Sequence, residues 1–201
     1  MRRHKGFTLL EMLVIIVIMG ILSTAMYLSV INMSASADAN NIINNMLMLR
    51  HATLTWYKEN LSRMVIDSKG GYKINVNGTE LTFDDFVKNY GEEILRHIDN
   101  RDMLILHPFY DSKKSSNDTG DYTLQSMNNN KQWYVCYNSG SIGWTVTKYG
   151  EESSILDIKE KLAGRAKGLD LKGKDDITKN PTATYTYNHK FACMLIIDFS
   201  K

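Results

Sequence analysis

Proline and cysteine are scarce in this chain, which has two of each among its 201 residues. Proline interrupts helices most strongly, so a chain whose prolines stand only at 108 and 181 can sustain a very long helix. Two cysteines exclude a disulfide-rich scaffold. Cys136 and Cys193 are either one pair or two free buried thiols. A pair would close a loop of about 57 residues and stabilise the fold by up to ~4 kcal/mol.

Neither sign of charge is in excess. The chain has 24 Lys and Arg against 22 Asp and Glu, a net charge of +2. Three of the basic residues, Arg2, Arg3 and Lys5, stand within the first five positions, so the remainder is close to neutral. The sequence therefore gives no clear signal for a nucleic-acid partner.

Motifs for catalysis and cofactors are missing as well. The five histidines have no metal-ligand spacing, and no nucleophile-and-base pattern occurs, so we predict no cofactor, no metal and no enzymatic activity. Residues 168–174 have the spacing of a phosphate loop, but Asp175 stands where Ser or Thr should bind magnesium, so a polar loop is predicted. Residues 111–121 offer oxygen ligands without EF-hand spacing, and we expect a solvated turn, with calcium as the alternative.

A long apolar stretch is present near the start. Residues 7–30 are mostly apolar and long enough, at about 1.5 Å per residue, to span a membrane. The basic residues before it predict a cytoplasmic N-terminus and a C-terminal bulk across the membrane. Glu11 interrupts this stretch, and an acid in a spanning helix costs roughly 2.5–3.5 kcal/mol on insertion scales. Either Glu11 snorkels from the helix end, or it has a partner.

The residues around Glu11 decide between these alternatives. The sequence Lys-Gly-Phe-Thr-Leu-Leu-Glu at positions 5–11 closely resembles the cleavage and methylation signal of type IV prepilins and pseudopilins. The resemblance implies that a prepilin peptidase cuts after Gly6 and methylates the new N-terminus at Phe7. It implies that Glu11 forms an assembly salt bridge with the N-terminal amine of a neighbouring subunit. A disulfide that closes a C-terminal region, here Cys136–Cys193, is also common in this family. Type a and type b traits are mixed, so no subclass is assigned.

The resemblance also implies a location and partners. We expect a single-pass inner-membrane protein that then enters an extracytoplasmic filament, a pilus or a periplasmic pseudopilus. The expected partners are other pilin subunits, the prepilin peptidase and the inner-membrane assembly platform. The predicted function is a structural subunit, a major or minor pilin. The alternatives are a pseudopilin of a type II secretion or DNA-uptake system, and a tip-located minor pilin that acts as a binding module.

The predicted fold is α+β and pilin-like, with one long N-terminal helix packed on a C-terminal antiparallel sheet. Apolar positions at helical spacing continue the helix to about residue 60. The expected segments are a basic leader (1–6), a transmembrane and assembly half of the helix (7–30), its amphipathic half (31–61), a variable connection (62–100) and a sheet domain (101–201). One stripe is expected to face the core, with a flanking row beside it and methionines 46, 48 and 64 as core filling. The stripe comprises Ala39, Ile42, Met46, Leu49, Thr53 and Trp56, and the row comprises Ile43, Leu47, Leu54 and Leu61.

Shorter elements follow from local signals. Turn residues predict a hairpin at Asn77 and Gly78, and Thr82 followed by Asp85 predicts a helix start. We expect a helix at 153–166 and strands at 72–76, 79–81, 103–106, 121–127, 132–137, 142–148 and 184–199. An aromatic binding face is the less favoured interpretation of one set of residues, which we expect in the core: Trp133, Tyr134, Tyr137, Trp144, Tyr185 and Tyr187.

Overall fold

The computed structural model describes residues 8–98, 122–139, 152–176 and 179–200. Its main element is helix α1, Leu9–Glu59, an unbroken run of 51 residues. At about 1.5 Å per residue this helix is ~75 Å long. It passes through Gly20 without interruption, and the Thr24 hydroxyl donates to the Gly20 carbonyl at 2.9 Å. Asn60 ends it, with its backbone N–H and its side-chain amide both donating to the Trp56 carbonyl, at 3.0 and 2.8 Å. The predicted long helix is confirmed.

The outer half of α1 buries one stripe against the rest of the molecule. All six residues predicted for the stripe are buried, and Ala35 and Ala52 extend it. The flanking row is correct for Ile43 but wrong for Leu47 and Leu61, which are 39% and 53% exposed. Met48 is also 39% exposed and not core filling, whereas Met46 is fully buried and Met64 packs against the core. The helix contacts its domain along a narrow stripe only. Residues beside this stripe, such as Leu47 and Met48, therefore remain in solvent.

A small sheet and a second helix follow α1. Strands β1 (Met64–Ile66), β2 (Tyr72–Val76) and β3 (Thr79–Leu81) pair antiparallel in that order. Asn77 and Gly78 have φ values of 51° and 88°, which confirms the predicted hairpin, with the two positive φ values of a type I′ turn. Helix α2, Phe83–Leu95, begins after Thr82, whose hydroxyl accepts the Asp85 N–H at 3.1 Å, as predicted. Strand β1 was not predicted.

The main sheet has five strands within the described part of the chain. They are β4 (Tyr122–Met127), β5 (Gln132–Asn138), β6 (Lys172–Lys174), β7 (Ala183–Thr184) and β8 (Phe191–Asp198), in the order β4-β5-β8-β6-β7. All of the described pairings are antiparallel. Helix α3, Glu152–Ala166, confirms the helix predicted at 153–166. Helices α1 and α2 and the inner face of this sheet share the principal core, which confirms the α+β architecture.

Two local predictions were wrong. The final strand predicted at 184–199 is two strands, because residues 185–190 turn: the His189 N–H donates to the Thr186 carbonyl at 3.0 Å, and the buried Tyr185 points into the core. The predicted polar loop at 168–174 instead ends in strand β6, which pairs with β8. The strands predicted at 103–106 and 142–148 and the loop at 111–121 lie outside the described residues.

Candidate assembly site at the helix N-terminus

Helix α1 begins with a capping box formed by Thr8 and Glu11. The Glu11 N–H donates to the Thr8 hydroxyl oxygen at 3.2 Å. In return, the Glu11 carboxylate oxygen Oε2 accepts the Thr8 N–H at 2.8 Å and the Thr8 hydroxyl at 2.9 Å. A Thr followed three residues later by Glu satisfies two otherwise unpaired groups of a helix start. The spacing of Thr8 and Glu11 is the sequence signal for this cap, and the prepilin-type motif alone does not indicate it.

The helix that follows is apolar and entirely exposed. Leu9–Tyr27 has a mean hydropathy of 2.4 and none of it is buried within the chain, so the helix fits a single-pass membrane protein by length and composition. Glu11 is exposed in the first turn of this helix, so its carboxylate stands beside apolar side chains such as Leu10 and Val14. An exposed apolar surface of this size marks a contact with lipid or with protein.

The two residues of the expected cleavage site, Gly6 and Phe7, lie outside the described residues. Phe7, the residue that follows the expected cut, directly precedes the cap residue Thr8. The structure thus shows that Thr8, two residues after Gly6, holds Glu11 in place.

The two cysteines are brought together by the main sheet. Cys136 on β5 stands directly opposite Cys193 on β8, and their sulfur atoms are 2.10 Å apart, as in a disulfide bond. Both residues are buried, in a second apolar cluster with Met127, Tyr134 and Phe191. These side chains lie on the face of the sheet opposite the α1 contact, since Trp133 and Val135 between them belong to the principal core.

This second face of the sheet also holds a buried lysine. Lys174 is 4% exposed, and its Nζ donates to the Gln125 side-chain oxygen at 3.1 Å. Burial lowers the pKa of Lys174 to about 7, although the carboxylates of Asp176 and Asp84 act in the opposite direction. Burial likewise raises the pKa of Asp84, which accepts the Ser126 N–H at 3.0 Å and also bonds the Ser126 hydroxyl. These groups link β4 to β6 and to α2, so their role is structural.

The aromatic residues belong mostly to the core, as expected. Trp133, Tyr134, Tyr137 and Tyr185 are all buried, whereas Tyr187 is 46% exposed and Trp144 lies outside the described residues. The Trp133 ring stacks on Phe83 of α2 with centroids 4.0 Å apart. Among the described residues no group of three or more His, Cys, Asp or Glu side chains is placed to hold a metal ion.

Comparisons with known proteins agree with the N-terminal site. Residues 1–27 match the family model described as the prokaryotic N-terminal methylation motif. The chain is 34% identical over 70 residues to the type II secretion system core protein G of Klebsiella pneumoniae, a stretch that covers 35% of this chain and 49% of that protein. The chain thus spans about half the length of this curated relative. No solved structure matches the chain.

The match over residues 1–27 contains Gly6, Phe7 and Glu11, the residues on which the resemblance was first based. The chain therefore carries a prepilin-type N-terminal methylation signal, and its resemblance to the type IV pilins and pseudopilins is confirmed.

Proposed function

We propose that this chain is a structural subunit of a type IV pilus or pilus-like filament, stored in the inner membrane and assembled through its N-terminal helix. One observation carries the proposal: Leu9–Tyr27 is apolar and wholly unburied, and a carboxylate stands in its first turn beside the methylation signal. Lipid covers such a helix before assembly. In a filament, the same helices of neighbouring subunits cover one another.

Glu11 supplies the selectivity of that packing. A cut between Gly6 and Phe7 creates an ammonium one residue before Thr8. An ammonium and a carboxylate are each costly in an apolar setting and much less so as a pair. The bonds from Thr8 all reach Oε2 of Glu11, so we assign the other oxygen, Oε1, to the ammonium of a neighbouring subunit. Subunits then dock at the register where the two charges meet.

With this function, the chain has a defined membrane topology, and each of its segments has a separate role. The basic leader, 1–6, stays cytoplasmic and is removed by the prepilin peptidase. Segment 7–30 crosses the membrane and later forms the filament core, and 31–61 carries the domain. Segments 62–100 and 101–201 then form the outer part, in which Cys136–Cys193 joins β5 to β8. The inner-membrane assembly platform and other pilin subunits are the remaining partners.

Processing and incorporation test the proposal together. Intact-mass analysis of protein from cells that hold the peptidase should show loss of residues 1–6 and one added methyl group at Phe7. Sheared filaments should contain this processed chain, and Gly6→Ala should block the cut. A chain that keeps its leader, or that is absent from every filament and pseudopilus of its cell, would contradict the proposal. Non-reducing peptide mapping of the same material should recover the Cys136–Cys193 peptide pair.

A secretion pseudopilus is the second candidate, and one observation favours it. The stretch of 70 residues that is 34% identical to a type II secretion core protein extends the similarity beyond the methylation motif. Deletion of the gene separates the two candidates. A pilin mutant loses surface fibres and keeps protein secretion, whereas a pseudopilin mutant retains its exoproteins in the periplasm and keeps its surface fibres.

A further inference from the structure

The C-terminal end of α3 lies at the margin of the domain that is nearest to the apolar span. The Arg165 guanidinium Nη2 donates to the Ser36 hydroxyl oxygen at 3.0 Å, across 129 positions of sequence. Ser36 follows Ala35, the first residue of α1 that belongs to the core. The other core residues of α1, as far as Trp56, lie farther along the helix from the span Leu9–Tyr27. Arg165 therefore stands on the side of the domain that faces the span.

The length of α1 gives the height of this margin above a membrane. A hydrocarbon core of about 30 Å takes about 20 helical residues, so a core entered at Leu9 ends near position 28. Ser36 is then about 12 Å beyond the hydrocarbon. The headgroup layer fills about 5–7 Å of that distance. Arg165 is thus within a Debye length, about 8 Å, of the headgroups.

The chain around Arg165 is strongly basic. Residues 159–172 contain five Lys and Arg against two Asp and Glu, whereas the chain after its leader is close to neutral. We define the basic end of α3 as Lys161, Arg165 and Lys167, of which the first two are half-buried and the third is exposed. None of the three forms an ion pair with another described residue. Nη1 of Arg165 also has no hydrogen-bond partner within the described part of the chain.

The fold, and not the adjacent sequence, brings this charge to the membrane side. From the end of the span at Tyr27 to Leu49 the chain has no Lys or Arg. Basic residues directly after a span would favour the opposite orientation of that span. The basic end of α3 follows more than 130 positions later, and a long domain translocates largely regardless of its charge. The membrane side of the domain is therefore positive without any change to the orientation signal.

We infer that the basic end of α3 binds the headgroups of anionic phospholipids while the subunit is held in the membrane. This inference rests on the membrane-stored form in the proposed function, and it adds a lipid contact made by the domain itself. Phosphate oxygens accept charge-assisted hydrogen bonds from guanidinium and ammonium groups. A membrane fits better than a nucleic acid, because the span keeps the basic end beside the headgroups. The contact orients the stored domain, and extraction of the subunit must break it.

Acetylation of lysine side chains tests the inference on the full chain in nanodiscs. The discs contain phosphatidylcholine alone or mixed with phosphatidylglycerol, and mass spectrometry follows each lysine. Lys167 should react about fivefold more slowly in the anionic discs, and high salt should remove most of the difference. Lys58 is the matched control, because it is exposed on α1 about 33 Å farther from the membrane than Ser36. It should react at the same rate in both discs.

The variant Lys161→Gln removes one cation and leaves Lys167 as the reporter. It should keep the urea midpoint of the unsubstituted chain and should weaken the protection of Lys167, whereas Lys58→Gln should not. Equal rates for Lys167 in both discs would overturn the inference, as would protection by added duplex DNA but not by anionic lipid. Both results leave the proposed function standing if the chain is processed and found in filaments. A chain that does not insert into a membrane would instead refute the proposed function.

Discussion

At the scale of single residues, the Glu11 carboxylate caps helix α1, and under the proposed function it also pairs with a neighbouring subunit. Its Oε2 atom accepts two bonds from Thr8, which closes the first turn of α1 and fixes the side chain. A side chain fixed in this way loses less conformational entropy when it pairs with an incoming ammonium. Under the proposed function, the capping box therefore presents the acid for assembly in addition to starting the helix.

Substitution of Glu11 separates these tasks from membrane insertion. In Glu11→Val the span loses a charge, so insertion should be unchanged or improved, and cleavage after Gly6 should persist. Assembly should fail, because the ammonium of a neighbouring Phe7 has no counter-charge. The measurement is the share of the variant in filaments from cells that also express the unsubstituted chain. Met12→Val is the control within the same apolar turn and should co-assemble. Wild-type assembly of Glu11→Val alone would show that Glu11 is only a snorkelling acid.

A second residue-scale prediction concerns Gly71. A Cβ atom built on Gly71 would lie 1.9 Å from the backbone oxygen of Asn129, because the β1–β2 turn packs on the β4–β5 turn there. Gly71→Ala must displace backbone, so the free energy of unfolding should fall by about 1–3 kcal/mol. Gly164→Ala in α3, where a Cβ meets nothing within 4 Å, should raise it by about 0.5–1 kcal/mol. Urea midpoints of both variants check the pair, and equal midpoints would refute the close contact.

At the scale of elements, strand β6 connects strands β8 and β4, and Lys174 makes the connection to β4. The strand pairs with β8, and the Lys174 side chain reaches Gln125 on β4. A buried ammonium is disfavoured, so the folded state releases its proton near pH 7 while the unfolded lysine keeps it to about 10.5. Between these values the unfolded state binds more protons, and stability therefore rises with pH. Below pH 7 the lysine is charged in both states and the burial penalty is present in full.

The pH dependence of unfolding tests this element. From pH 7 to about 9.5 the contribution of Lys174 should raise the free energy of unfolding by up to about 1 kcal/mol per pH unit. The upper limit avoids the tyrosines, of which Tyr185 has its pKa raised to about 12 by burial. Lys174→Met should flatten the slope, whereas Lys172→Met on the same strand should retain it, because Lys172 is only half-buried beside Asp170. An identical slope in both variants would contradict the buried position of Lys174.

At the scale of the whole molecule, the sequence predicts what depends on local signals. Helix α1 follows from one apolar stripe and a lack of proline, and the hairpin at Asn77 follows from its turn dipeptide. Strand β1 has three residues and no local signal, so only its pairing with β2 reveals it. The break before β8 depends on Tyr185, whose hydroxyl bonds the buried Ser139 across 46 positions. Contacts over such sequence distances have no counterpart in periodicity.

The division of α1 into two halves leads to a last prediction. The core receives nothing from Leu9–Tyr27, and its first member from the helix is Ala35. A chain that begins at Ser29 should therefore be soluble and folded, with the same urea midpoint as the full chain in detergent.

A chain that begins at Met46 lacks four buried residues, Ala35, Ala39, Ile42 and Ile43, and loses the contact of Arg165 with Ser36. The two buried isoleucine side chains alone contribute about 1.5–3 kcal/mol each, and a domain is stable by only about 5–15 kcal/mol, so this shorter chain should unfold. Circular dichroism and proteolysis compare the two truncations. A chain from Ser29 that is unfolded would show that the membrane half supports the domain, and a folded chain from Met46 would show that the α1 stripe is dispensable.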